Sequence, residues 1–283
     1  MNVEFDYMQP NSLKDLFQLL GNESKIIAGG TDLIPFFRKT ETAPKNLIDI
    51  SQIKKLNYIR EFDDEIELGA LTTFKEIYES EIIREYAPGL ADASSQIGSP
   101  MIQNRATIGG NIANASPAAD SVLPLICLDA VLTVSSEEGD REVQLEDFFK
   151  SKGVTDISPN EIINKVTFFK RRNCKDFFKK VGLRKGLVIA TASLAVKIVL
   201  DADNRINHVR IAAGSVAPVP LRCYKTEEYL SENIIDDQII SKAKDILINE
   251  ISPISDLRST VGYRRKTICE LLSRILNDLL LEN

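Results

Sequence analysis

Thr107-Ile108-Gly109-Gly110-Asn111-Ile112-Ala113-Asn114-Ala115-Ser116-Pro117-Ala118-Ala119-Asp120-Ser121 is the stretch on which the reading of this chain turns. Its side chains are small almost throughout, and it carries no lysine, arginine or aromatic residue. Such a run lets another backbone or a flat ligand come close, because no bulk keeps it away. Tight internal packing is the alternative. Thr107 and Asn111 flank the glycine pair with groups that can hydrogen-bond.

A second glycine pair lies upstream, in Ile26-Ile27-Ala28-Gly29-Gly30-Thr31-Asp32-Leu33. A short apolar strand that stops at paired glycines brings backbone N–H groups close to a ligand and forms an anion-binding nest. Thr31 adds a hydroxyl, and a short helix over 32–38 would turn its N-terminus toward an anion. The segment is neither a G-x-G-x-x-G fingerprint nor a P-loop, since no Gly-Lys-Ser/Thr follows. Taken singly, a Gly-Gly turn is also just a turn. Two such elements can clasp a diphosphate from both sides, with Asp120 available for a hydroxyl-rich moiety. A dinucleotide cofactor is therefore expected.

Composition narrows the chemistry. The chain has 283 residues, which suggests about two domains. With 43% hydrophobic and 27% charged residues it can bury a core. Lys+Arg is 35 against 41 for Asp+Glu, a net charge of −6, which argues against a nucleic-acid binder. No apolar run reaches the roughly 18 residues of a spanning helix. The start of the sequence, with Glu4 and Asp6, has no signal-peptide pattern, so the cytoplasm is the expected location. The single histidine, His208, lies in an alternating strand-like run, where a structural role is expected. Cys127, Cys174, Cys223 and Cys269 are scattered, with no C-x-x-C spacing. Histidine-dependent hydrolysis and a metal site held by this chain alone are both disfavoured.

Periodicity supplies the elements. Residues 12–20 read as a helix capped by Ser12 and Asp15 and stopped at Gly21. Residues 25–28, 47–50, 65–69, 130–135, 142–145 and 161–168 read as strands, with a turn at Glu138-Gly139-Asp140. Residues 73–85 read as one helix from a Thr73 cap, and 87–106 as a helix interrupted by Gly98 and Pro100. The basic run Lys170-Arg171-Arg172 marks the boundary between domains 1–172 (subdomains about 1–55 and 56–172) and 173–283. Beyond it, 187–200 and 205–213 pair across Asp201–Asn204, and helices follow over 236–251 and 260–281. The latter puts Ile268, Leu271, Leu272, Ile275 and Leu279 on one face. The order is α+β rather than a βαβ repeat.

At both glycine loops the chain resembles the FAD-binding (medium) subunits of the molybdenum hydroxylases, the family of xanthine dehydrogenase and aerobic carbon monoxide dehydrogenase. The match covers Ala28–Leu33 and Thr107–Ser121, and continues through Glu67-Leu-Gly-Ala-Leu-Thr72, Arg210-Ile-Ala-Ala-Gly-Ser-Val-Ala-Pro-Val-Pro220 and Asp256-Leu-Arg-Ser-Thr260. The resemblance implies a vanillyl-alcohol-oxidase (PCMH)-type fold of two α+β subdomains and a small C-terminal α+β domain. It implies a non-covalent FAD held by Ile26, Ile27, Ala28, Gly29, Gly30, Thr31, Asp32 and Leu33 around the pyrophosphate and ribityl chain. Thr107, Gly109, Gly110 and Asn111 form the second clasp, and Ser116 and Asp120 fall on the ribose and adenine side. Ile97, Ile163 and Lys180 match positions that line the flavin, where Lys180 would supply positive charge. The family keeps Lys180 and Arg184 here, whereas Lys185 and Val188 depart from its pattern.

The resemblance further implies an electron-transfer subunit with no catalytic residue of its own. A molybdenum cofactor would sit on a large partner subunit and 2Fe–2S clusters on a small one, with NAD or another acceptor receiving the electrons. Purines such as xanthine are the first expectation for the substrate, with nicotinate, an aldehyde or carbon monoxide open. A stand-alone flavin oxidoreductase, or a scaffold paralogue without FAD, are the alternatives.

Overall fold

The computed structural model describes residues 4–42, 44–182 and 189–281, and the chain folds around three main sheets. The first is parallel. It is built from β1 (Asp6–Met8), α1 (Leu13–Phe17), β2 (Ser24–Ile27), α2 (Leu33–Thr40) and β3 (Asn46–Asp49), in strand order β1-β3-β2. Ser12 caps α1 by accepting the Asp15 N–H, but the helix stops at Gln18, short of the expected Gly21. Leu16, Ile48, Ile50, Ile53 and Leu56 form its core, closed by Leu71 and Ile162 from the next lobe.

The second lobe begins with β4 (Ile59–Glu61), β5 (Glu65–Gly69), α3 (Phe74–Glu79), α4 (Glu81–Tyr86), α5 (Pro88–Ser95) and α6 (Pro100–Gln103). It continues with α7 (Ile108–Ala113), α8 (Val122–Cys127), β6 (Val131–Ser136), β7 (Gly139–Gln144), β8 (Phe149–Ser151), β9 (Val154–Thr155) and β10 (Ile162–Phe169). Its antiparallel sheet has the order β4-β5-β10-β6-β7, and β8 and β9 form a separate ribbon. The expected single helix over 73–85 is two. Ser80 ends α3 and caps α4, its Oγ accepting the Ile83 N–H. Thr73 opens α3 with a full capping box to Glu76, worth about 1 kcal/mol. Over 87–106, Pro88 and Pro100 open two separate helices, since proline suits a first turn but not an interior. The hairpin turn falls on Glu137-Glu138, with Gly139 already paired to Ser136, rather than on 138–140.

The third lobe holds β11 (Lys175–Val181), β12 (Ala192–Leu200), β13 (Ile206–Gly214), β14 (Leu221–Arg222), α9 (Tyr224–Leu230), α10 (Asp237–Glu250) and α11 (Val261–Leu281). Its antiparallel sheet has the order β11-β12-β13-β14. Leu187 and Val188 of the expected run 187–200 lie outside the described residues, as do Arg184 and Lys185. The expected face of α11 is buried: Ile268, Leu272, Ile275 and Leu279 are fully enclosed and Leu271 nearly so. The opposite sheet face turns to the second lobe, where Phe178, Ala195 and Ala212 join its core. β11 was not expected from the sequence. Its Asp176 and Phe178 are buried while Lys179 is exposed, so charge hides its alternation.

Candidate cofactor-binding site

The edge strand β2 of the first sheet ends at Ile27, and Gly30 takes a left-handed conformation (φ +70°) that favours glycine. Gly29 packs directly on the second lobe. A Cβ there would lie 1.9 Å from the Arg105 carbonyl oxygen, and the Arg105 Nε–H donates to Gly29 O at 3.2 Å. Two segments far apart in sequence are thus pressed backbone to backbone, and Thr107 follows two residues after the contact. The backbone N–H groups of Gly29, Gly30, Thr31 and Asp32 find no acceptor among the described residues. Gly29, Gly30 and Thr31 are half-buried and Asp32 exposed, so these donors border solvent. A run of unspent donors at a glycine turn is the donor set that an oxyanion needs.

The second glycine pair is used differently. The Ile108 and Gly109 N–H groups donate to Thr72 O and Ala70 O at 3.0 and 2.9 Å. The Gly110 N–H donates to Thr107 Oγ1 at 3.1 Å, which caps α7. Gly109 is a packing glycine: a Cβ would meet the Ala70 Cβ at 2.7 Å. Gly110 is exposed, and a Cβ there would meet only Thr107 Oγ1. The first loop therefore offers free backbone donors, while the second offers an open glycine and the side chain of Asn111. Asn111 itself is held by Ser121, whose Oγ–H donates to its Oδ1 at 2.8 Å.

Ser116 Oγ accepts the Ala118 N–H within the loop between α7 and α8, where Ala115 adopts φ +47°. Asp120 closes that loop, but it faces inward. Its Oδ2 accepts from Lys180 Nζ at 2.7 Å, and the side chains are 6% and 11% exposed. Lys180 Nζ also donates to Gln96 O at 2.7 Å, next to the half-buried Ile97. Burial pushes the Asp120 carboxyl up, and the Lys180 ammonium pulls it back. Its Oδ1 and the Ser193 hydroxyl are both buried without a well-formed hydrogen bond among the described residues, and the Ser193 hydroxyl also draws the Asp120 pKa down. Asp120 is thus an ion-pair partner as well as a candidate hydroxyl acceptor. Ile163 is 4% exposed on β10, in the cluster that holds Ile108 and Ile112. Lys180, Gln96 and Arg274 lie on the wall of a cavity of about 260 Å³ with Leu271.

The other recurrent segments hold this frame. Ala70 O and Thr72 O, at the end of Glu67–Thr72, receive α7. Arg210 Nε donates to both Asp129 carboxylate oxygens at 3.0 Å, and the Ser215 N–H donates to Pro117 O at 2.8 Å. The third lobe thereby straps the loop that carries Ser116 and Asp120. Two contributors went unseen in the sequence. Gln96 acts through its carbonyl, which has no side-chain signature. Arg105 could have been noticed as the last cation before the small-residue run. His208 is half-buried on β13, and burial and Arg210 push its pKa down to about 4. Burial drives the Cys127 and Cys223 thiols well up, and no metal-holding group of His, Cys, Asp and Glu occurs among the described residues. No helix of the described residues is long and apolar enough to cross a membrane.

The chain is similar to known proteins along nearly its whole length. Residues 3–168 match the family described as the FAD binding domain in molybdopterin dehydrogenase, and residues 177–279 match the CO dehydrogenase flavoprotein C-terminal domain. The glyceraldehyde dehydrogenase medium chain of Sulfolobus acidocaldarius is 30% identical, over 97% of this chain and 98% of that one. The xanthine dehydrogenase FAD-binding subunit of Escherichia coli O157:H7 is 27% identical, over 96% and 94%. The structure of carbon monoxide dehydrogenase from Hydrogenophaga pseudoflava lacking the Mo-pyranopterin moiety superposes with a TM-score of 0.93 at 30% identity, covering 98% of this chain and 97% of that one.

Proposed function

The chain belongs to the family of FAD-binding subunits of the molybdenum hydroxylases, and from that premise we propose that it passes electrons from the 2Fe–2S clusters of a small partner subunit through FAD to NAD or another acceptor. It is an oxidoreductase component, with FAD as its cofactor. In this reading the molybdopterin cofactor, and with it substrate hydroxylation, belongs to a large partner subunit. The division of the chain at residues 172 and 173 is part of the same proposal.

The observation that carries it is the run of unspent N–H donors at Gly29, Gly30, Thr31 and Asp32, pinned against Arg105. They would hold the diphosphate, and the open Gly110 and the Asn111 side chain would close on it from the second lobe. When bound, FAD supplies the electron exchange that no side chain of this chain can perform. Lys180 holds a positive charge at a wall where Gln96 also lies, and Asp120 fixes its direction. A fixed cation there favours the negative charge that accompanies reduction. The poverty in histidine and cysteine suits this division of labour. In this reading the Ser116 hydroxyl, which can still donate, and the Asp120 carboxylate fall on the ribose and adenine side.

Relatives named for glyceraldehyde and for xanthine stand at 30% and 27% identity, so similarity does not select one substrate. The purine reading rests on the Thr31-Asp32 form of the first loop. Purification of the chain tests the core of the proposal. Flavin absorbance, or stoichiometric uptake of added FAD, is expected. A colourless chain that takes up no FAD overturns it and favours the scaffold alternative. A flavin-bearing chain that co-purifies with neither iron nor molybdenum favours a stand-alone oxidoreductase.

A further inference from the structure

Strand β11 grips helix α5 at both ends. Asp176, Phe178 and Lys180 alternate onto the face of β11 that meets the second lobe, where Phe178 joins its core. At one end, the Gly89 N–H in the first turn of α5 donates to Asp176 Oδ2 at 3.2 Å. At the other, Lys180 Nζ donates at 2.7 Å to the carbonyl of Gln96, the residue that caps α5. The two spans are alike. From Gly89 to Gln96 the helix rises about 10 Å, and from Asp176 to Lys180 the strand rises about 13 Å. The charges are also matched. The carboxylate meets the positive end of the helix dipole and the ammonium its negative end.

The Asp176 end serves the helix before any counter-ion. Lys197 stands opposite Asp176 in the β11–β12 register and is 3% exposed. Yet Lys197 Nζ and Asp176 Oδ1 both lack a hydrogen-bond partner among the described residues, and the bond that is formed goes to α5. Gly89 makes room for it. A Cβ there would lie 2.5 Å from Asp176 Oδ1 and 2.9 Å from its Cγ. The other end of the helix borders the cavity of about 260 Å³ that Gln96 and Lys180 line. A close-packed interior transmits displacement, so a shift of the first turn of α5 reaches Gln96. Gln96 O is one of the acceptors that hold the Lys180 ammonium.

We propose that Asp176 is a positioning residue for the cofactor: through α5 it fixes Gln96, and with it the Lys180 ammonium, at the flavin-lining wall. The inference rests on the reading that FAD lies against that wall. Two effects of removing Asp176 have opposite signs. Loss of an anion by itself eases reduction of the flavin, since one negative charge fewer opposes the new one. Loss of placement draws the ammonium away from the reduced cofactor and hinders reduction.

The test uses the full chain loaded with FAD and reads its midpoint potential beside the dissociation constant of oxidised FAD. Asp176→Val keeps a strand-favouring side chain without an acceptor. Its affinity for reduced over oxidised FAD is expected to fall about tenfold, a potential about 30 mV lower. Gly89→Ala alters no charge but presses a Cβ on the carboxylate, and it should shift the potential the same way. Asp176→Asn keeps an oxygen for the Gly89 N–H and should stay within about twofold of wild type in that ratio. Leu247→Ala opens a cavity in the fully buried core against α10, so it should lose stability and keep the potential.

A potential at or above the wild-type value in Gly89→Ala or in Asp176→Val overturns the inference and leaves the proposed function standing. An equal fall in Asp176→Asn overturns it too, because charge rather than the bond to α5 would then be responsible. An equal fall in Leu247→Ala does the same, because instability alone would suffice. Should Asp176→Val not fold, Gly89→Ala decides. A wild-type chain that takes up no FAD overturns both the inference and the reading beneath it.

Discussion

Lys180 Nζ lies 2.7 Å from Asp120 Oδ2, and this buried ion pair joins the small-residue loop of the second lobe to the first strand of the third sheet. Its partners come from residues 60 positions apart. The pair is also fastened to Gln96 O, so one ammonium collects three elements into one wall.

Removing one partner of this pair strands the other charge in the interior. Lys180→Met is expected to cost about 3–5 kcal/mol in denaturant unfolding without FAD. Asp120→Asn with Lys180→Met should recover much of that loss, because neither charge then remains. Strictly additive losses in the double variant would show that the pair does not act as a unit.

The two glycine loops should respond differently to a side chain. Gly29→Ala places Cβ 1.9 Å from a backbone oxygen that cannot step aside, so about 1–3 kcal/mol or more of stability is lost. In Gly110→Val the Cβ lies 2.9 Å from the Thr107 hydroxyl that caps α7, and the variant should fold with a loss of about 1 kcal/mol. It should nevertheless lose FAD, read by absorbance after gel filtration. Full FAD occupancy in folded Gly110→Val would remove Gly110 from the site.

A second buried carboxylate makes stability depend on pH. Asp176 is 8% exposed, accepts the Gly89 N–H at 3.2 Å, and faces Lys197 across the ladder. Burial pushes its pKa up to about 6, against an ordinary value of 3.8. Because the folded value is the higher one, the protonated form is the one the fold favours. The contribution is full below about pH 4 and is lost as pH rises through 6, a loss of about 3 kcal/mol. Unfolding free energies of wild type and Asp176→Asn from pH 4 to pH 8 should differ by that slope. Parallel curves would contradict it.

His208 should be silent in turnover. With its pKa pushed down to about 4 it is neutral throughout pH 5–8, and no hydrogen bond links it to the glycine loops. His208→Gln should leave the pH profile of electron transfer in the assembled enzyme unchanged over that range. A flattened or displaced profile would give His208 a role.

Much was legible because it is local. Ser12 and Thr73 cap helices that begin where their spacing says, within a turn or so. The apolar face of α11, the 65–69 strand and the β12–β13 hairpin follow from periods of 3.6 and 2. β11 was not legible, since Lys175, Lys179 and Lys180 interrupt a strand whose inward face carries Asp176. Helices split by Ser80, Pro88 and Pro100 read as continuous because the apolar period runs on across the breaks.

Two glycine pairs, a small-residue run and scarce histidine and cysteine already mark a cofactor-binding chain, because composition and spacing are properties of the line. Which donors are free follows from the packing of the folded chain. Gly29 to Asp32 keep theirs because the first loop abuts Arg105 through side-chain and carbonyl contacts alone, whereas Ile108 and Gly109 spend theirs on Thr72 and Ala70. Likewise Asp120 reads as an open carboxylate until the third lobe brings Lys180 to it. Hydrogen bonds are exclusive, and their partners here lie tens of residues away, so no local pattern could assign them.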